Sequence, residues 1–343
     1  MGMFDFLRRK SSETSRLLVM NPGQPKWTPR DYAKLAREGY TYNVVVYQAV
    51  NRVADAIAAI EWEYWRGDGP IEDPNDPLKA LWMRPNPQQA NGEFLRSLIG
   101  YLLLSGNGYI EAAAGPRGIP RELYALRSDR MRVIPNAEGL VDRYEYKYNS
   151  QRVIWEVDPL TGQGPIMHLK MFHPLNDFYG MSPIEAGAFA VDQHNEAMKW
   201  MQALLQNSAR PSGALVMKDG TNLGDEQFAR LQAQIEEQYS GATNAGRPML
   251  LENGLDWKAM SLSPSDMAIL DTKFSSARDV ALAFGVPPQL LGIPGDNTYS
   301  NYKEARLAFY EDTVIPLLGH LLGSVNSWIE EPFNGAEIRP NLD

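Results

Sequence analysis

The chain of 343 residues contains no cysteine, which excludes disulfides, thiolate metal sites, iron–sulfur clusters and a cysteine nucleophile. It also lacks an uninterrupted run of about 18 apolar residues, the length that a membrane span requires. The two best candidates, Val44 to Ile60 and Leu95 to Leu104, are interrupted or short. We therefore expect no membrane partner and no chemistry that depends on thiolates.

The chain also has no excess of basic residues. The chain has 42 Asp and Glu against 33 Lys and Arg, a formal net charge of −9. A protein that holds nucleic acid through its phosphates needs a dominant basic surface, so this composition argues against such a protein. The hydrophobic content of 44% is ordinary for a chain that buries a core, and the length predicts two or three domains.

Residues that could form a catalytic or metal site are scarce. His168 and His173 lie five positions apart on a predicted strand, so they should point to opposite faces. His194 lies in a predicted helix, with neither a carboxylate nor a second histidine four residues away. The sequence thus predicts no metal site and no cofactor.

Nucleotide-binding and nucleophile motifs are also absent. The segment 115–120 is rich in glycine, but its two prolines lack the amide donors that a phosphate cradle needs. We expect a protein without catalytic residues. A hydrolase using carboxylates such as Asp177 or Asp296 remains the weaker alternative.

The first half of the chain alternates between helical and strand patterns. Apolar residues at helical spacing predict a helix over Val44 to Ile60, and a second helix is predicted over Gly92 to Leu104. Between Glu122 and Phe172 the pattern is mostly that of short strands. These elements predict an α+β domain with one small, mainly antiparallel sheet.

The second half contains two long predicted helices. Ser182 has the position of an N-cap, followed by Pro183 at the first helical position, and no helix breaker occurs before Pro211. This helix would have about 26 residues and a length of about 39 Å. A second helix is predicted from Pro264 to Gly285, with a compact α/β module between the two.

Four groups of residues resemble, in their order along the chain, the portal proteins of tailed bacteriophages, a family also found in phage-like gene transfer agents. The resemblance spans about residues 44–328. The matching segments are 105–111, 172–184, 210–213, and 284–292 followed by 297–302.

The resemblance implies a domain map for the whole chain. It consists of an N-terminal arm (1–25), a wing (26–180), a first stem helix (181–210), a clip (211–263), a second stem helix (264–285), a tunnel loop (286–298), and a kinked wing helix with the C-terminal end (299–343). Pro316 is expected to kink the wing helix. Because few residues follow that helix, a C-terminal crown would be minimal or absent.

The same resemblance implies a function in a virion. Portal subunits form a ring, usually of twelve copies, at one capsid vertex, and double-stranded DNA is packaged and ejected through it. The implied partners are the large terminase, the head–tail adaptor, the major capsid protein and the DNA, and assembly would take place in the host cytoplasm. The alternative is another head–tail connector or adaptor protein.

Two groups of residues are predicted to act at the surfaces of this ring. The DNA channel would be lined by the tunnel loop, through Gly292, Ile293, Pro294, Gly295, Asp296, Asn297, Thr298 and Tyr299. The clip would contact the motor and adaptor through Asp219, Gly220, Asp225, Glu226, Arg230, Glu236, Glu237 and Arg247. A nearly uncharged loop suits passage of DNA, since each phosphate contact adds affinity and therefore friction.

Overall fold

The structure is a computed structural model that describes residues 35–114, 119–206, 213–217, 226, 229–230, 233, 255–259, 264–295 and 299–342. The chain divides into two compact units. The first consists of residues up to 188 and from 281 onwards, and the second of Phe189–Val280. The mixture of helices and antiparallel sheets confirms the predicted α+β class. The predicted arm, residues 1–25, lies outside the described residues.

Helices form much of the described structure. Those with described bounds are α1 Val44–Ala58, α2 Pro77–Met83, α3 Asn91–Ser105, α4 Pro183–Ala186, α5 Ala188–Gln206, α6 Pro264–Ala283, α7 Tyr299–Phe309 and α8 Ile315–Ile329. Short 3-10 helices occupy Ser128–Arg130 and Pro288–Leu291. Two π-helical segments occupy Leu35–Thr41 and Tyr310–Val314.

The described strands pair only in antiparallel fashion. They are β1 Glu61–Arg66, β2 Gly69–Pro70, β3 Asn107–Ala114, β4 Pro120–Leu126, β5 Met131–Pro135, β6 Val141–Tyr148, β7 Gln151–Glu156, β8 Ile166–Lys170, β9 Gly213–Met217, β10 Leu255–Ala259 and β11 Ala336–Asn341. They form sheets in the orders β11-β1-β2, β4-β3-β8 and β5-β6-β7, and a pair β9-β10.

The prediction of one small sheet in the first unit was therefore wrong, because its strands form three separate sheets. Tight connections such as the turn at Asn149, which has a φ of 52°, pair strands with their sequence neighbours. Each sheet is then completed locally or by one returning strand. The C-terminal β11, which the sequence pattern did not reveal, pairs with β1 from Glu61↔Asn341 to Arg66↔Ala336.

The main core lies between α1 and α3. The predicted apolar face of α1 is buried, with Val46, Val53 and Ile57 fully enclosed, and α3 contributes Leu98 and Leu102. The side chain of Asn43 caps α1 by accepting hydrogen bonds from the first helical N–H groups. A second core lies under the β5-β6-β7 sheet; it includes Tyr109, Met131, Val133, Tyr144, Ile166 and Tyr179.

The first predicted stem helix begins as expected but is not continuous. The hydroxyl of Ser182 accepts a hydrogen bond from the Glu185 N–H at 3.1 Å, and Pro183 occupies the first turn, which confirms the predicted start. The helix is then interrupted at Gly187, between α4 and α5. A Cβ at Gly187 would lie 3.1 Å from that of Ala283, the last residue of α6. A glycine at position 187 therefore allows the chain between α4 and α5 to pass close to the end of α6.

The predicted wing helix changes its helix type in the middle. A π-helical segment, Tyr310–Val314, separates α7 from α8, and Pro316 lies in the first turn of α8. A proline lacks the N–H that would bond to the carbonyl four residues earlier, and its ring crowds that carbonyl, which belongs to Asp312 in the π-helical segment. The change of helix type therefore lies where a proline at position 316 is expected to disturb the helix, and the kink at Pro316 stays a prediction.

Candidate functional site

Two of the motifs that carry the family resemblance meet in space. Gly106 ends α3 in the left-handed region, with a φ of 73°, and its carbonyl oxygen accepts a hydrogen bond from the Met171 N–H at 2.8 Å. A Cβ at Gly180 would lie 2.1 Å from the carbonyl oxygen of Gly106. Only glycine at position 180 permits this approach. We call the cluster of Ser105, Gly106, Asn107, His168 and Gly180 the junction.

The side chain of Asn107 holds the junction together. Its Oδ1 accepts hydrogen bonds from the Gly180 N–H at 2.8 Å and from His168 Nε2 at 3.0 Å. Its Nδ2 donates to the carbonyl oxygens of Ser105, at 2.7 Å, and Gly180, at 3.3 Å. Asn107 is almost fully buried. The four hydrogen bonds offset the cost of burying its amide.

His168 is part of this network. Its ring stacks on Tyr109, with 4.2 Å between the ring centroids. Burial, with a smaller effect from the positive charge of Lys170, lowers the pKa of His168 from 6.5 to about 3. The imidazole is therefore neutral near pH 7, and its Nε2 carries the proton that it donates to Asn107.

The segment from the junction to α4 is fixed by further hydrogen bonds. Asn176 Oδ1 accepts from the N–H groups of Phe178 and Tyr179, which forms a tight side-chain turn. The hydroxyl of Tyr179 accepts a hydrogen bond from the buried Val133 N–H at 2.9 Å. Burial raises the pKa of Tyr179. These contacts set the direction in which the chain enters α4.

The chain that returns to the first unit is fixed at the end of α6. Gly285 has a φ of 64°, and the Val286 N–H donates to the carbonyl oxygen of Ala281 at 2.9 Å, as expected for a glycine-terminated helix. The hydroxyl of Thr313, in the second π-helical segment, donates to the carbonyl oxygen of Gly285 at 2.6 Å. Thus the outgoing and returning segments are both held by glycines and side-chain hydrogen bonds.

The structure describes part of the predicted tunnel loop. Gly292 is left-handed with a φ of 70°, and Ile293 is buried, with its N–H donating to the Pro288 carbonyl oxygen at 3.2 Å. Pro294 and Gly295 are exposed, and Tyr299 begins α7. Asp296, Asn297 and Thr298 lie outside the described residues. Ile293 thus anchors the described part of the loop by burial.

The predicted clip residues are only partly described. Glu226 and Arg230 are helical and exposed. Asp219, Gly220, Asp225, Glu236, Glu237 and Arg247 lie outside the described residues. In the same region β9 pairs with β10, from Gly213↔Ala259 to Met217↔Leu255.

The expected placement of the second histidine was wrong. β8 ends at Lys170, so His173 lies in the following loop, where its Nδ1 accepts a hydrogen bond from the Leu175 N–H at 3.0 Å. Asp177 lies in the same loop, and its backbone carbonyl accepts a hydrogen bond from the Lys170 ammonium. Within the described ranges, no group of three or more His, Asp and Glu side chains is placed to hold a metal ion.

The junction and the end of α6 fix two segments of the first unit. Two closely packed glycines, a buried amide network and two helix termini fix the segments by which the chain leaves and re-enters an α+β unit. Sequence reasoning identified the motif residues but not the network among them. The signal was the Gly106-Asn107-Gly108 turn between a predicted helix and a predicted strand.

Comparison with known proteins identifies the family to which the chain belongs. The model of the phage portal protein family matches residues 44–343. The chain therefore belongs to the phage portal protein family.

Individual relatives extend this result. The chain is 44% identical over 307 residues to an uncharacterised protein of Rickettsia bellii strain RML369-C, covering 89% of this chain and 79% of that protein. It is 26% identical over 266 residues to the portal protein of Enterobacteria phage HK97, covering 75% of this chain and 59% of that protein.

Among solved structures, a chain of the neck of a native gene transfer agent particle, computed with C12 symmetry, is 45% identical. The match has a TM-score of 0.75 and covers 96% of this chain and 89% of that one. Within the described part of this chain, no helix has the length and apolar content needed to cross a membrane.

Proposed function

We propose that this chain is the subunit of a twelve-membered portal ring at one vertex of a virion or gene transfer agent particle. The observation that carries the proposal is the 45% identity over 96% of the chain to a protein in a particle neck with twelve-fold symmetry. Proteins this similar over nearly their whole length share a fold, and ring symmetry repeats one interface around the axis.

The ring would act as the conduit for packaging and ejection of double-stranded DNA. The acidic composition supports a ring that lets DNA pass rather than one that holds it. A protein with few cations makes few phosphate contacts and releases few counterions from the DNA, so it binds the sliding DNA weakly. The tunnel loop would meet the DNA through short residues, with Asp296 its only charge over 292–298. The ring itself would carry no catalytic residues, and ATP hydrolysis would belong to the terminase.

The remaining partners follow from the same proposal. The clip would dock first the large terminase and later the head–tail adaptor, and the major capsid protein would surround the wing. The ring would be assembled in the host cytoplasm and would then be part of the virion. The alternative is a different head–tail connector or adaptor. The two long helices, α5 with 19 residues and α6 with 20, favour the portal subunit, because connectors are shorter chains without such a stem.

Negative-stain imaging of the purified full chain tests the ring. We expect twelve-fold rings with a central opening a little wider than duplex DNA, which is about 20 Å across. Imaging over a range of protein and salt concentrations distinguishes a failure to assemble from a failure to stay in solution. A protein that stays monomeric throughout, and does not join particles on co-expression with the other particle proteins, would contradict the proposal.

A second experiment tests the channel. Asn297→Lys and Thr298→Lys, made together, should reduce the yield of DNA-filled particles, because the new cations would bind passing phosphates. The matched control is Gln151→Lys, at an exposed position of the edge strand β7. Equal yields of filled particles from both variants would argue against DNA contact by the tunnel loop.

A further inference from the structure

A cavity of about 370 Å³ lies in the first unit between α1, the 3-10 helix Pro288–Leu291 and α7 with the π-helical segment that follows it. Arg52 and Asp55 line it from one face of α1, and Ala59, the residue that follows α1, lines it beside them. Tyr302 and Arg306, four residues apart on α7, line the opposite side. We call this cavity the arginine pocket.

The charges in the arginine pocket do not balance. Among the described residues that line it, Asp55 is the one carboxylate, and that carboxylate is paired with Arg96, with 2.6 Å between Arg96 Nε and Asp55 Oδ1. Arg52 donates one hydrogen bond, at 3.3 Å, to the hydroxyl of Tyr302. Arg306 is exposed and has no hydrogen bond or ion pair with any described residue. In the described part of the chain, two guanidinium groups therefore face one concavity without a countercharge of their own.

The lining fits a carboxylate in particular. Guanidinium groups bind carboxylates through paired, charge-assisted hydrogen bonds. The hydroxyl of Tyr302 offers a further polar contact, while Ala59 and Leu290 leave room for an aliphatic stem. The chain carries nine more acidic than basic residues, so other copies of it present carboxylates that lack a cation of their own.

We propose that the arginine pocket receives an aspartate or glutamate side chain from the neighbouring copy of this chain in the ring. The proposal rests on the proposed ring, in which every copy meets a neighbour through the same heterologous contact. DNA phosphate is the less favoured occupant, because a phosphate held by two arginines would resist the sliding that a conduit requires.

Charge reversal at the pocket provides the first test. Arg306→Glu should raise the protein concentration needed for half-maximal ring assembly at least tenfold, as measured by sedimentation and by counting rings in negative stain. The matched control is Lys303→Glu, an equal change of charge at an exposed position of α7 that does not line the pocket. It should change that concentration less than threefold. Arg306→Gln should give an intermediate effect.

A labelling experiment leaves both arginines in place. Because the chain has no cysteine, Ala59→Cys creates a single thiol at the wall of the pocket. Its modification by a maleimide should be at least tenfold slower in DNA-free rings than in the monomer. A single thiol made by Asp68→Cys in the exposed β1–β2 turn gives the reference rate.

The outcomes separate this inference from the ring itself. If the unmodified chain never forms rings, the proposed function fails and the inference fails with it. If Arg306→Glu forms rings as readily as the unmodified chain, the inference alone is overturned. Protection of the thiol only after duplex DNA is added would assign the pocket to a phosphate and would likewise overturn it. If Arg306→Glu does not fold, as judged by circular dichroism, the Ala59→Cys rates decide.

Discussion

The hydroxyl of Thr313 donates a 2.6 Å hydrogen bond to the carbonyl oxygen of Gly285, which joins the π-helical segment to the end of α6. A carbonyl beyond the last turn of a helix needs a partner from outside it. This bond links the π-helical segment directly to the residue at which α6 gives way to the following chain.

Substituting either partner of this hydrogen bond should destabilise the chain. Thr313→Val keeps the shape but removes the donor, and should lower the free energy of unfolding by about 1 kcal/mol. Gly285→Ala should cost about 1–2 kcal/mol, because φ is 64° and the new Cβ would lie 2.5 Å from Thr313 Oγ1. Urea denaturation followed by tryptophan fluorescence measures both. Thr313→Ser, which keeps the donor, is the control and should be close to the unmodified chain.

The close approach of Gly180 to Gly106 predicts a large cost for any side chain. Gly180→Ala should lower the free energy of unfolding by about 3 kcal/mol or prevent folding, because its Cβ would lie 2.1 Å from a carbonyl oxygen. Gly100→Ala is the matched control. This glycine is in α3 with nothing within 4 Å of a new Cβ, so alanine should stabilise the helix by about 1 kcal/mol. If Gly180→Ala and Gly100→Ala both changed the free energy of unfolding by a similar, small amount, the close contact between Gly180 and Gly106 would be contradicted.

The depressed pKa of His168 predicts a pH dependence. Because the pKa of His168 is lowered from its ordinary value of 6.5 to about 3 in the folded chain, folding favours the neutral ring. The stabilisation is complete above pH 6.5 and is lost progressively as the pH falls towards 3. His168→Gln, which cannot take up a proton, should show a shallower loss of thermal stability over this range. His194, whose pKa is also lowered by burial, is unchanged in both proteins and cancels in the comparison.

The hydroxyl of Tyr179 satisfies the buried N–H of Val133. Tyr179→Phe should leave that donor without a partner and lower the free energy of unfolding by about 1–3 kcal/mol. Tyr148→Phe is the control, since Tyr148 is exposed and stacks with Arg130 through a ring face that phenylalanine retains. Hydrogen exchange of the Val133 amide gives a second readout, with faster exchange expected in Tyr179→Phe alone.

Several local features could be predicted because their causes lie within a few residues. The apolar spacing that defines α1, the cap formed by Ser182 and the glycine after α6 are all as the sequence predicted. The motif order along the chain also identified the family. The remaining assignments of wing, stem, clip and tunnel loop stay predictions.

Other features could not be predicted because their causes lie far apart in the sequence. The pairing of β1 with β11 joins Glu61 to Asn341, and an isolated segment of mixed polar and apolar residues does not indicate its partner. The π-helical form of Tyr310–Val314 could not be predicted from Pro316 alone, since an internal proline is also compatible with a kinked α-helix. The arginine pocket is likewise assembled from α1 and α7, about 250 residues apart.

The sequence by itself determined the α+β class, the caps that start and end its helices, and the exclusion of thiolate chemistry. The tertiary structure alone decided that Gly106 and Gly180 meet, that Asn107 and His168 share a hydrogen bond, and that Arg52 and Arg306 face one cavity. The physical reason is the range of the forces involved. Propensity and capping act over one helical turn, whereas close packing and charge balance depend on atoms that only the folded chain brings together.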